Sequence, residues 1–298
     1  MPGGDPIAQG RRIAIFGMAV SGALALLKLI VGYRADSAAV MADGFESAAD
    51  VFASGLVLVG MIVAARPPDE NHPYGHGRAE TLAGLLIGFL LFAAGVLIAW
   101  HGIVGASDAT LPAAYAVWPL VISILAKSGL AIAKFTRARR IRSSSLLADA
   151  LNDSIDVLSG LVALVALSLT LSNPTRFIRA DHYGAFCVGL IVMFVAGRVV
   201  HEASSHLMDT MPEDDLMRSV RRVALSVPNV EGVEKCFARK TGLQYHVDLH
   251  LEVDPDITVR TSHEIAQQVR DRIRGELDWV ADVLVHVEPA SGESRESS

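Results

Sequence analysis

The sequence predicts an α-helical membrane protein: six transmembrane helices followed by a C-terminal cytoplasmic, ferredoxin-like α+β domain of αββαβ order. Three observations predict it. Apolar runs of about 20 residues recur along the first two thirds of the chain, and that is the length a helix needs to cross about 30 Å of hydrocarbon. Downstream of about residue 210 the runs stop and the charge density rises. Beyond that point two stretches alternate apolar and polar residues, with a helically spaced segment between them.

The 298 residues are 51% hydrophobic and only 19% charged, with a mean hydropathy of +0.39. Soluble domains are about 25% charged, so the apolar excess must lie in the runs, at residues 13–32, 38–64, 82–101, 113–133, 157–172 and 183–200. The expected layout is an N-terminal tail over 1–12, a six-helix domain over 13–208, a soluble domain over 209–290 and a disordered tail over 291–298.

Orientation follows from Lys and Arg in the short loops. Arg11 and Arg12 precede the first span, Arg66 and Arg78 lie between the second and third, and Lys134, Arg137, Arg139, Arg140 and Arg142 follow the fourth. The opposite loops hold only Arg34, then none, then Arg176 and Arg179. Both termini are therefore expected in the cytoplasm of a multi-pass protein of the cell inner membrane. Arg11-Arg12 before an apolar stretch also resembles a signal peptide, but the stretch is longer than a typical h-region and five more spans follow. It reads as an uncleaved first span. The net charge of −6 gives no support for nucleic-acid binding. Cys187 falls in span six and Cys236 in the soluble part, so no disulfide framework is expected.

Span two contains "ADGFESAADV", and span five, which extends beyond its apolar run through polar residues at one end, contains "ADALNDSIDV". Aligned without a gap, Asp43 matches Asp149, Glu46 matches Asn152 and Asp50 matches Asp156. Positions i, i+3 and i+7 share one face of a helix, so each segment carries a stripe of three oxygen-bearing side chains. A carboxylate at mid-bilayer costs about 2.5–3.5 kcal/mol on insertion scales. Helix-packing hydrogen bonds would suit one Asn or Ser, not Asp43, Glu46, Asp50, Asp149, Asp153 and Asp156 together. A cation held by Glu46, Asp50, Asn152 and Asp156 removes their repulsion; Asp43, Asp149 and Asp153 read as helix-end or relay groups. Three carboxylates and one amide favour hard cations such as Mn²⁺ or Fe²⁺ over Zn²⁺.

Residues 211–289 read as helix, strand, strand, helix, strand. In "YHVDLHLEV" Tyr245, Val247, Leu249, Leu251 and Val253 share one face, and His246, Asp248, His250 and Glu252 the other. "VLVHVEP" puts His286 and Glu288 on its polar face. The helix between them, "TSHEIAQQVRDRIRGEL", is expected to start at a Thr-Ser cap. Three histidines on elements expected to converge point to metal binding, since imidazole suits Zn, Fe, Ni and Cu.

Six spans, ligands paired four residues apart in spans two and five, and "HPYGHGRAETLA" at 72–83 together resemble the cation diffusion facilitator family. The resemblance implies a homodimeric exporter of divalent metal that exchanges it for protons. It implies a loop metal site at Asp69, His72 and His76, and a charge interlock between Arg78 and Asp209 that holds the membrane and soluble parts together. It makes 209–290 a metal-binding and dimerisation domain, with ligands at Glu234, His250, His263, His286 and Glu288. Cys236, two residues after Glu234, is a possible softer ligand. Zinc exporters of that family usually carry a His where this chain has Glu46 or Asn152.

The expected function is thus proton-coupled efflux of Mn²⁺ or Fe²⁺. A zinc, cobalt, nickel or cadmium exporter of the same family is the alternative. The metal is substrate at the membrane site and a regulatory ligand in the soluble domain; membrane lipid, protons and a second copy of the chain are the other partners. An intramembrane metalloenzyme fails for want of an HExxH helix or a nucleophile–base pair on the spans, so the protein is not expected to be an enzyme. A membrane-tethered metal sensor is the alternative of a different class, although it would not need charges buried in two spans.

Overall fold

The computed structural model describes the backbone of residues 6–141, 144–242 and 244–290, and their side chains except 6–16, 57–58, 61, 138–141 and 144–149. The tail expected over 291–298 lies outside the described residues. The chain forms two compact units, residues 1–57 with 86–200 and residues 58–85 with 201–298.

Among the described residues, seven α-helices precede the soluble part: α1 (Pro6–Ala35), α2 (Ala38–Ala64), α3 (Arg78–Gly105), α4 (Val117–Ile141), α5 (Ser144–Ser172), α6 (Pro174–Phe177) and α7 (Ala180–Leu207). Among the described residues, five segments are long and apolar enough to cross a membrane: Gly17–Ala35, Arg78–Asp108, Ala114–Arg137, Ala150–Ser172 and Ala180–Leu207. The sixth expected span, α2, has 27 residues and includes positions 57, 58 and 61, whose side chains lie outside the described residues. The α1–α2 connection is two residues long, and Asp36 there takes a left-handed conformation (φ 54°), which Asp tolerates better than most residues.

The first turn of α2 is held from across the bundle. Ser37 donates to Asp181 Oδ1 at 2.8 Å, and the amide of Ala38 donates to Asp181 Oδ2 at 2.6 Å. An anion there satisfies amides that a helix start leaves open and complements its dipole. Helices α3 and α7 approach so closely that a side chain on Gly189 would come within 2.6 Å of the Ala99 amide. Small residues at such a crossing let membrane helices pack by van der Waals contact. The core of this unit gathers Ala39, Val40, Leu120, Ala163, Leu167 and Val188.

The soluble elements follow as expected: α8 (Asp214–Leu225), β1 (Gly232–Thr241), β2 (Gln244–Val253), α9 (Val259–Glu276) and β3 (Val280–Pro289). The sheet order is β1-β2-β3, antiparallel between β1 and β2 and parallel between β2 and β3, with α9 as the crossover. Val247, Leu249 and Leu251 face Val220 of α8 and Val269 and Ile273 of α9, all fully or almost fully buried. The helix start differs from expectation. Thr258, not the Thr261-Ser262 pair, caps α9, its hydroxyl accepting from the Thr261 amide at 3.2 Å. Thr258 is extended, with ψ 155°, and that backbone lets its hydroxyl turn back onto the first helical turn.

Candidate metal centre

Glu46 and Asp50 lie one turn apart on α2, and Asn152 and Asp156 one turn apart on α5. Glu46 is 6% exposed and Asp156 8%, whereas Asp50 and Asn152 are half-buried. Ser159 of α5 donates to Glu46 Oε1 at 2.7 Å. Glu46 Oε2 is buried with no hydrogen-bond partner among the described residues. Asp156 is an electrostatic neighbour of Glu46 and Asp50, and its carboxyl lies within hydrogen-bonding reach of Asp50. An unpartnered carboxyl oxygen costs free energy in the apolar interior, and a cation between α2 and α5 would remove that cost.

The sequence reading missed the positive charges of this region. Lys28 of α1 reaches Asp43 Oδ2 at 2.8 Å and Ser47 Oγ at 2.5 Å. Lys127 of α4 contacts Asp156 directly and Asp153 Oδ1 at 3.3 Å. Lys134, expected as an exposed topogenic charge after span four, is instead buried within α4, 2.5 Å from Asp153 Oδ2. Besides the cation expected to relieve the carboxylates' repulsion, three buried lysines share that task. Asp43 and Asp153, expected as helix-end or relay groups, are their ion-pair partners; the side chain of Asp149 lies outside the described residues. Single lysines inside the runs 13–32 and 113–133 were the signal, because a lone intramembrane cation implies a buried partner.

Between α2 and α3 the loop brings Asp69, His72 and His76 together. Asp69 Oδ1 accepts from the amides of Asn71 and His72 at 3.0 and 2.7 Å, an Asx turn that follows Pro67-Pro68. Gly75 has φ 79°, which permits the reversal before His76. His72 Nδ1 stands 3.0 Å from Asp69 Oδ1 and His76 Nε2 3.4 Å from Asp69 Oδ2. One ligand atom from each residue falls within 4.8 Å of the others. Hydrogen bonding from His72 holds the Asp69 carboxyl below its ordinary pKa. Arg78 Nη2 lies 2.8 Å from Asp209 Oδ1.

In the soluble domain the parallel register sets His250 opposite His286 and Glu252 opposite Glu288. His250 Nδ1 is 2.6 Å from Glu288 Oε1, and His286 Nε2 is 3.5 Å from the same oxygen. These three residues form the second compact cluster of ligand atoms among the described residues. Glu234 Oε2 lies 4.0 Å from His250. Hydrogen bonds with Glu234 and then His250 pull the Glu288 carboxyl below its ordinary pKa.

Two expected ligands do not join this cluster. His263 is exposed on α9, the helix that covers the opposite, apolar face of the sheet, and its nearest polar contact is Gln267 at 3.5 Å. Cys236 is turned away by a register shift between Val233 and Cys236. The shift puts Glu234 and Cys236 on different faces although they are two residues apart. Cys236 is 6% exposed in the core, and burial pushes its thiol up to about 11, which disfavours the ligating thiolate.

Two family models account for most of the chain: the cation efflux transmembrane domain over residues 14–208, and the cation efflux protein cytoplasmic domain over 212–290. The uncharacterized transporter YdbO of Bacillus subtilis (strain 168) is 31% identical over 287 residues, covering 96% of this chain and 97% of that one. The manganese efflux system protein MneP of the same organism is 28% identical over 284 residues, covering 94% and 96%. A solved MamM CTD chain in a cadmium form is 28% identical, with a TM-score of 0.26, and covers 26% of this chain and 96% of its own.

Proposed function

The chain belongs to the cation diffusion facilitator family of divalent metal efflux transporters, and from that premise we propose that it exports Mn²⁺ or Fe²⁺ from the cytoplasm in exchange for protons. The observation that carries the reading is the unpartnered Oε2 of Glu46, buried beside Asp156 and Asp50 where α2 meets α5. Metal entering from the cytoplasm loses most of its water and takes oxygen ligands from Glu46, Asp50, Asn152 and Asp156. Rocking of the helices then turns the site outward, where protons compete for the same carboxylates and the metal leaves.

An all-oxygen donor set without imidazole suits Mn²⁺ and Fe²⁺. MneP and MneS, 28% and 30% identical, are both named manganese efflux system proteins, which supports the same choice. The protein works as a homodimer in the inner membrane, with both termini in the cytoplasm. The soluble domain joins the two copies and binds regulatory metal at His250, His286 and Glu288, with Glu234 beside them. The Asp69–His72–His76 loop offers a further cytoplasmic site, and the Arg78–Asp209 pair ties loop to tail.

The test is transport into acid-loaded vesicles containing the purified protein, with Mn²⁺, Fe²⁺, Zn²⁺, Co²⁺, Ni²⁺ and Cd²⁺ compared. Mn²⁺ or Fe²⁺ should enter fastest, and a protonophore should stop the uptake. Uptake indifferent to the protonophore overturns the antiport; Zn²⁺ entering fastest overturns the choice of metal.

A further inference from the structure

We infer that Lys127 is a tethered cation of the transport site: its ammonium occupies Asp156 when metal is absent and moves onto Asp153 when metal binds. The inference rests on the reading of Glu46, Asp50, Asn152 and Asp156 as that site. Lys127 is 2% exposed on α4, and its Nζ touches Asp156 while lying 3.3 Å from Asp153 Oδ1. One ammonium thus reaches a carboxylate inside the ligand set and another outside it. Asp153, three residues before Asp156 on α5, is steadied by Lys134 at 2.5 Å from its other oxygen. Lys127 therefore has a second anionic partner within one rotamer's reach, and leaving Asp156 does not strand it in an apolar medium.

Charge count gives the arrangement a purpose. Lys28 has Asp43 for a partner and Lys134 has Asp153, both carboxylates outside the ligand set. What remains among the described side chains is Glu46, Asp50 and Asp156 against Lys127: with all three carboxyls deprotonated, as metal binding requires, three negative groups and one positive. The surplus of two is what a divalent cation cancels, and an uncancelled charge is costly in the interior. Lys127 thereby fits the site to a divalent ion and also weakens its grip, because the metal must displace an ammonium from Asp156. A transporter needs a site that both fills and empties, and a built-in competitor favours release.

Two substitutions separate this role from simple helix packing by the sign of their effects. Lys127→Gln removes the competitor and should tighten metal binding. Asp153→Asn removes the ammonium's alternative seat, keeps Lys127 on Asp156, and should weaken binding even though Asp153 is not a ligand. A packing role predicts that both substitutions weaken it.

The experiment is Mn²⁺ titration of the purified full-length protein by calorimetry, following the component that Asp50→Ala removes. Lys127→Gln should lower the Kd of that component at least fivefold, and Asp153→Asn should raise it at least fivefold. Weaker or unchanged binding in Lys127→Gln overturns the inference, and so does unchanged binding in Asp153→Asn should Lys127→Gln fail to fold. If Asp50→Ala removes no component at all, the transport-site reading itself fails, and the two failures are thereby told apart.

Discussion

Ser159 on α5 donates a 2.7 Å hydrogen bond to Glu46 Oε1 on α2, and both side chains are buried. The bond joins the two helices that carry the proposed ligands and leaves Oε2 as the oxygen of Glu46 open to metal. In the proposed site Ser159 thus sets the direction of Glu46 without itself being a ligand.

Ser159→Ala should loosen Glu46 at a cost of about 1 kcal/mol. The half-saturating metal concentration for vesicle transport should rise roughly fivefold by that estimate, with the maximal rate kept above half. An unchanged half-saturation would show that Glu46 needs no such support.

Asn152 brings an uncharged oxygen that does not titrate, so in the proposed antiport proton exchange falls on the three carboxylates. Histidine there adds a softer nitrogen ligand that titrates near neutrality. Asn152→His should raise the Zn²⁺-to-Mn²⁺ transport ratio several-fold and add an inflection near pH 6.5 to the pH profile. A ratio that does not move would mean that helix geometry, not ligand chemistry, selects the metal.

The soluble domain allows a sharper test of its cluster, because His250 and His286 face each other while His263 stands on α9. A fragment of residues 209–298 should sediment as a dimer that metal tightens. His250→Ala should weaken metal binding to the fragment at least tenfold, and His263→Ala less than twofold. A fragment that stays monomeric with and without metal would contradict the regulatory role of the domain.

Burial raises the Cys236 thiol from its ordinary 9.0 to about 11. A group whose folded pKa is raised adds stability that is fully present below the unfolded value and is lost as pH rises through the folded one. Urea unfolding of the 209–298 fragment should therefore show stability falling between pH 9 and pH 11. Cys236→Ala should flatten that fall relative to the parent fragment. Equal slopes would mean that the thiol is not held in the core.

Much of this was legible in the sequence, for identifiable physical reasons. The αββαβ order was, because strict alternation over Tyr245–Val253 admits one buried face and the structure buries that face. The i, i+4 pairing of Glu46 with Asp50 and Asn152 with Asp156 was, because helical periodicity is local. What was not legible depends on contacts between distant segments. A register shift in β1 sends Cys236 inward, and no local pattern signals it. Lys134 looked like a topogenic charge until α4 packed along α5 and set it against Asp153. Lys28 and Lys127 drew no notice as single charges in apolar runs, yet they share the electrostatic task expected of a bound cation.

The central claim is that the α2–α5 carboxylates carry the transported ion, and it is tested most directly by Asp50→Ala and Asp156→Ala in vesicles. Each removes one anionic ligand of the proposed four-ligand site, and each variant should insert and dimerise as the parent does. Metal uptake should fall below a tenth of the parent rate in both. Uptake above a tenth in either correctly inserted variant would contradict the assignment of the site.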